Sequence, residues 1–152
     1  TAMTAIVGAN IGAKNIERAE KVGISGGLSA GFISAFIGVM LALFPDLWIG
    51  FFTEDPKAYL VTKKYIQIVG PFYIFQGIGL SLYFASQGAN AMLWPIIATI
   101  VRFTIAGIGG GLSVYWFSFD IEGVFLSSAL AMAVFGLMIF FSIKLGAWRQ
   151  KD

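Results

Sequence analysis

Two stretches without a single charge limit what this chain can become. Between Lys21 and Asp46 lie 24 consecutive uncharged residues, and between Lys64 and Arg102 lie 37. At about 1.5 Å of rise per residue the first makes a helix of about 36 Å, enough to cross a hydrocarbon core of about 30 Å. The second is too long for one crossing, and Gln87-Gly88-Ala89-Asn90 followed by Trp94-Pro95 supplies a break in its middle. Two further apolar runs, one ending near Ser118-Phe119-Asp120 and one ending at Lys144, complete the pattern. With 58% hydrophobic and 12% charged residues, a soluble surface of this size could not be covered with charge. The expected fold is an all-α integral membrane protein, one membrane domain over residues 1–152, with transmembrane helices at 22–45, 59–87, 94–117 and 123–144.

The ends read differently. Residues 1–7 are apolar enough to close an earlier helix, whereas Gly8-Ala9-Asn10-Ile11-Gly12-Ala13-Lys14 reads as a loop. Residues 15–21, with Glu17, Arg18, Glu20 and Lys21, form a solvated turn or the lead-in to the first crossing, and 145–152 form a tail. The chain opens on Thr1 without the basic and short apolar regions of a signal peptide, so it is expected to be a fragment that starts inside an element.

Orientation follows from the basic residues. Lys14, Arg18, Lys21, Lys144, Arg149 and Lys151 fall on one side and Lys57, Lys63 and Lys64 on the other, which places both termini in the cytoplasm of a multi-pass plasma (inner) membrane protein. Trp48, Trp94, Trp116 and Trp148 all stand at expected helix ends, where an indole suits the headgroup region. The chain has no Cys and no His, which removes thiol and imidazole chemistry and Cys/His metal sites. No nucleophile and base pair, metal cluster or phosphate loop can be placed, so an enzyme is not expected, and no cofactor is called for. The net charge of +2 is scattered, which argues against a nucleic-acid partner and leaves the lipid bilayer as the main one.

Several residues stand out within the spans. Gly23, Gly27 and Gly31 recur every four residues along the first crossing, and Gly107 and Gly111 repeat the spacing in the third. Such stripes let another backbone approach closely in lipid. The run Gly109-Gly110-Gly111 also weakens its helix and favours a bend. Gly70-Pro71 should kink or open the second crossing, because proline lacks the amide hydrogen and clashes with the preceding turn. Just beyond that kink Tyr73, Gln76, Leu80, Tyr83 and Gln87 share one helical face. This face is expected to look inward, either as a cavity wall that holds organic cations through tyrosine rings and amides or as hydrogen-bonded helix packing. Arg102 is the one charge deep in a span. Its partner lies outside this chain, or its side chain reaches the cytoplasmic headgroups, and the second is the expectation.

Three stretches together resemble multidrug and toxin extrusion (MATE) exporters. VGANIGAKNIERA is similar to the family's VGQNLGAG..ERA signature through Gly8, Asn10, Gly12, Ala13, Glu17, Arg18 and Ala19. FFTEDPKAYLVTKKYIQIVGPFYIFQG is similar to its F-T-x-D-P outer turn and the helix after it. SQGANAMLWPIIATIVR resembles its RGAGDT...P......R connection through Gly88, Ala89, Pro95 and Arg102. The resemblance implies the last four of twelve helices, most of the second lobe of a two-lobed transporter whose remaining helices are partners of this fragment. It also implies export of organic cations or amphipathic compounds in exchange for H+ or Na+, by alternating access. Many members carry an acid where this chain has Gln76, which cannot exchange a proton, so the coupling ion is expected to bind outside the fragment. A lipid-linked saccharide flippase of the same superfamily and a non-transporting packing subunit are the alternatives.

Overall fold

The computed structural model describes residues 2–115 and 121–149. Its helices are α1 (Ala2–Gly12), α2 (Ile16–Leu43), the single turn α3 (Asp46–Ile49), α4 (Pro56–Val69), α5 (Tyr73–Gly88), α6 (Leu93–Thr104), α7 (Gly110–Tyr115) and α8 (Ile121–Lys144). Among the described residues, four helical stretches are long and apolar enough to cross a membrane: α2, the stacked pair α4 and α5, the pair α6 and α7, and α8. The expected third crossing ran to residue 117, and its end, with Trp116 and Asp120, lies outside the described residues.

Each start has a local cause. Asn15 caps α2 by accepting from the Arg18 amide at 3.2 Å. Asp55 caps α4 by accepting from the Lys57 amide at 2.9 Å, with Pro56 in the first position, where its missing N–H costs nothing. Residues 16–21 are therefore the opening turns of α2, and the lead-in reading holds over the solvated turn.

The loop expected at Gly8–Lys14 is a correction. Helix α1 continues through Gly12, and the chain turns only at Ala13-Lys14, where Lys14 takes a φ of 56°. Gly8 serves packing rather than a loop, whereas Gly12 has nothing within 4 Å of an added methyl carbon among the described residues. A methyl carbon on Gly8 would sit 3.2 Å from the Gly88 carbonyl oxygen, and one on Gly88 would run into the Thr4 carbonyl. Asn10 stays in the helix by donating its amide back to the Ile6 carbonyl at 2.8 Å.

Helix α5 lies at the centre, packed on α2, α8 and α1. The inner core gathers Val7, Ala19, Leu82, Ala85, Ala89, Ala98, Phe135, Ile139, Ile143 and Trp148, and a smaller cluster of Val69, Phe125 and Ala129 holds the other end. The antiparallel contact of α2 with α5 is built from close backbones. Gly27 meets Leu82, Gly31 meets Ile74 and Ile78, and Gly77 meets Ala30 and Ser34. At the far end Gly38 and Gly70 face each other so closely that a methyl carbon on Gly70 would lie 2.6 Å from the Gly38 oxygen. Close approach of this kind replaces the hydrophobic effect as the source of helix association in lipid.

The two ends carry the charges. At one, Lys63 donates to Asp46 at 2.8 Å, Tyr59 donates to the same carboxylate, and Lys64 pairs with Glu122. The Lys63 ammonium first, and the Tyr59 hydroxyl second, hold the Asp46 carboxyl below its usual range. A carboxyl lowered by folding adds stability above the ordinary carboxylate range, and that contribution is lost as pH falls through the lowered value. Because this group is exposed, Asp46→Asn is expected to change the melting temperature only slightly at neutral pH. The variant and the wild type should converge in acid, and thermal melts of the purified protein at the two pH values check this.

The other end holds a structure that the expected free tail did not contain. Gly146, with a φ of +92°, turns the chain back after α8, so that Trp148 is only 3% exposed. Its indole N–H donates to the buried Ser86 hydroxyl at 3.1 Å, and its ring lies against Gly23, where a methyl carbon would come within 2.5 Å. Arg149 then grips Glu20 with two bonds of 2.9 and 2.8 Å. Trp48 and Trp94, 50% and 45% exposed, stand at helix ends as expected, but Trp148 is a core residue, and Glu20, 8% exposed, is not solvated. Both corrections have one cause: a glycine turn brings the residues after α8 over the ends of α2 and α5.

Candidate functional site

The residues singled out on α5 begin where the helix is broken. Pro71 lies in a single 3-10 turn, Gly70–Phe72, which separates α4 from α5 without a change to extended backbone. Pro71 cannot donate to the preceding turn, and Gly70 can shift toward Gly38 because neither carries a side chain.

Beyond this turn the polar face divides. Tyr73 is half-buried and packs on the cluster of Val69, Phe125 and Ala129, as Tyr65 does. Gln76 is half-buried, yet its Oε1 is fully enclosed and meets no hydrogen-bond donor among the described residues. Tyr83 packs on the inner core and meets Phe84 edge-on at 5.8 Å. Leu80, 46% exposed, and Gln87, also exposed, look outward. The five residues do not share one environment within this chain. Tyr73 and Gln76 face the interior near the kink, whereas Gln87 lies at the end of α5 beside the turn to α6. An apolar groove of about 620 Å³ lies elsewhere, against Trp94, Leu137, Met138 and Phe141, and none of the polar α5 residues lines it.

Arg102 also meets the core. Its guanidinium carbon stands 5.1 Å from the centre of the Phe135 ring, and Phe135 is 3% exposed in the inner core. The side chain therefore turns over a core ring of α8. The cause is the neighbouring element. Gly79 of α5 leaves room for the Phe135 ring of α8, a methyl carbon there falling 2.5 Å from that ring, and Arg102 of α6 reaches the same ring. A cation over an aromatic face gains most where water is thin.

The glycines of the third crossing stand apart from the rest of this chain. Gly107 and Gly111 have nothing within reach of an added methyl carbon. Between α6 and α7 the chain makes a wide π turn, Ile105–Gly109. One extra residue in that turn rotates the following face, so Gly109 and Gly110 meet Ser127 and Val124 of α8 in their place. The helix leaves α geometry where the glycine run weakens it, and the four-residue spacing stops being a guide there.

The α2 stripe lies as the spacing suggested, with Gly23, Gly27 and Gly31 all buried against Trp148, Leu82 and Ile78. The sequence reading missed Gly38, seven residues after Gly31 and so on the same face, and its partner Gly70. It also missed Gly79 and Gly136, where α5 meets α8. An i, i+7 extension of the stripe would have found Gly38; no sequence signal joins Ser86 to Trp148 across 62 residues.

A chain of four apolar crossings, a proline-broken second crossing and glycine-lined contacts can now be set beside known proteins. The MatE family model matches residues 1–112. The chain belongs to the MatE family. MatE proteins are membrane transporters and not enzymes. The MatE chain is 27% identical over 113 residues to the "Probable multidrug resistance protein NorM" of Oceanobacillus iheyensis, covering 72% of this chain and 25% of that protein. It is 30% identical over 100 residues to the protein of the same name from Thermotoga maritima, covering 66% of this chain and 22% of that one. A third of that name, from Bacillus cereus, is 28% identical over 108 residues, covering 70% of this chain and 24% of its own length. The MatE chain thus spans about a quarter of the curated relatives it matches. No solved structure matches it.

Proposed function

We propose that this MatE chain supplies the last four of twelve crossings of a secondary active exporter, most of its second lobe. The exporter moves organic cations or amphipathic drugs out of the cell in exchange for H+ or Na+, by alternating access of two lobes. The observation that carries the reading is the enclosed, donor-less Oε1 of Gln76 just beyond the Gly70-Pro71 turn. Irregular backbone at membrane depth is tolerated where it borders protein or a watery cavity. An enclosed amide oxygen without a donor costs about 1–3 kcal/mol, and movement at the Gly70-Pro71 turn that opens Gln76 to a hydrated cavity or a substrate donor would relieve it. Tyr73, Gln76 and Tyr83 are its proposed cavity residues, with Gln87 at the edge, while Gly23, Gly27, Gly31 and the Gly70-Pro71 turn hold the lobe together. The coupling ion binds in the helices beyond this chain.

Gln76 tests the reading. In the full-length protein Gln76→Leu is expected to shift apparent substrate affinity or selectivity and to leave the pH dependence of exchange in place. Gln76→Glu is expected to add a pH dependence, because a carboxyl in a low-dielectric cavity has its pKa raised toward the working range. Transport assays across pH read both, and an unchanged profile in the two variants would return this face to plain helix packing. Loss of coupling in Gln76→Leu with substrate binding spared would instead put the coupling group here.

The proposed orientation has both termini in the cytoplasm. The chain has no cysteine of its own, so single cysteines at Lys14, Lys57 and Arg149 can be labelled with an impermeant thiol reagent in intact cells. Labelling is expected at position 57 alone. Labelling at 14 but not at 57 would reverse the orientation.

A further inference from the structure

Among the described residues the Arg102 guanidinium has no carboxylate partner. The described ion pairs, Lys21 with Glu17, Lys63 with Asp46, Lys64 with Glu122 and Arg149 with Glu20, sit at the ends of the bundle and use the acids found there. Arg102 lies nine residues after the start of α6, about 13 Å along the helix, and among the described residues it has the Phe135 face but no carboxylate. It is partly buried. A full charge at this depth is costly, and a ring face relieves only part of the cost. Five N–H donors in a planar fork remain, and that geometry fits a carboxylate in two-pronged fashion.

We infer that Arg102 is an anion-receiving site at membrane depth whose ligand is a carboxylate. The inference rests on the export reading and sharpens its substrate class. A fixed guanidinium repels a purely cationic drug, so the site favours amphipathic compounds that carry a carboxylate beside their cation, unless an acid of the remaining helices neutralises it first. The chemistry is the same in either case, and the two sources can be told apart.

The test uses the full-length transporter and two dyes, a rhodamine with a free carboxylate and its ethyl ester. If the carboxylate comes from the transported compound, Arg102→Gln should weaken export of the free acid by about tenfold to a hundredfold, the range of a lost hydrogen bond to a charged group, and spare the ester. If it comes from the protein, both dyes should fail, and neutralising one intramembrane acid elsewhere in the transporter should restore both. Wild-type export of both dyes by Arg102→Gln overturns the inference, and so does joint failure that no acid replacement restores. Should that variant not accumulate, Arg102→Lys keeps the charge but not the fork. Weaker export of the free acid alone then supports the site, and wild-type export of both dyes overturns it. A wild-type transporter that exports neither dye tells against the export reading itself. Binding of the free-acid dye to the purified protein then decides the Arg102 site: Arg102→Gln should weaken it about tenfold, and equal binding would refute it.

Discussion

Leucine at position 38 is expected to leave almost no folded transporter in the membrane. Gly38 and Gly70 meet backbone to backbone, and any side-chain carbon on Gly38 falls inside the Gly70 carbonyl oxygen and within 2.9 Å of the Tyr73 ring. Flexible side chains can move out of the way, but a carbonyl in a helical turn cannot, so the crossing of α2 over α5 must open. Overpacking of a well-packed site costs about 1–3 kcal/mol, and a clash with main chain belongs at or beyond the top of that range. Separation at this point would also release Gly31 and Gly27 from Ile78 and Leu82 farther along the same interface. Val39 is 37% exposed on the neighbouring face, so Val39→Leu should be mild. Size-exclusion profiles of the two fluorescently tagged variants make the comparison, and equal folded fractions would contradict the packing described for α2.

The second large effect is expected at the other end of the bundle. Trp148→Ala removes a ring that touches Gly23 and an N–H that satisfies the buried Ser86 hydroxyl. Truncating a buried tryptophan costs about 3–5 kcal/mol through lost contacts and the cavity left behind. Trp148→Phe should fall between, since it keeps a ring over Gly23 but leaves Ser86 without its donor. Arg149→Ala should cost less, because the arginine side is 65% exposed, although it leaves the nearly buried Glu20 carboxylate unpaired. Thermal melts of the purified transporter can rank these variants against Trp94→Ala, which alters a half-exposed indole. If Trp148→Ala melts no lower than Trp94→Ala, the fold-back of the chain after α8 does not hold these helices together.

The two ends differ in how far they could be read from sequence. The crossings were legible because long uncharged runs leave the bilayer as the only suitable solvent, and Asn15, Asp55 and Pro56 mark helix starts by local chemistry. The glycine stripe of α2 was legible because four-residue spacing is a helical face, and α2 stays helical along it. The same spacing gives Gly107 and Gly111 no neighbour among the described residues, and the π turn at Ile105–Gly109 changes the register that it assumes. Gly8, Asn10 and Gly12 pointed to a loop because local propensity counts against helix, whereas the close packing of α1 on α5 prevailed. Arg102 depends on packing in a related way. Depth along α6 can be counted from sequence, but the ring that Arg102 meets is placed by the packing of Phe135 against Gly79, which exists only once α5 and α8 come together.

The proposed exporter is tested most directly by dye uptake into proteoliposomes that hold the full-length protein and face an imposed ion gradient. A cationic dye should move against its own gradient when either a proton or a sodium gradient is imposed in the opposite direction, and the ion that drives it names the coupling. That movement should persist in Gln76→Leu with an altered apparent affinity, and it should disappear in Gly38→Leu along with the folded protein. Dye movement that ignores both gradients, in vesicles whose transporter is shown to be folded, would contradict the account.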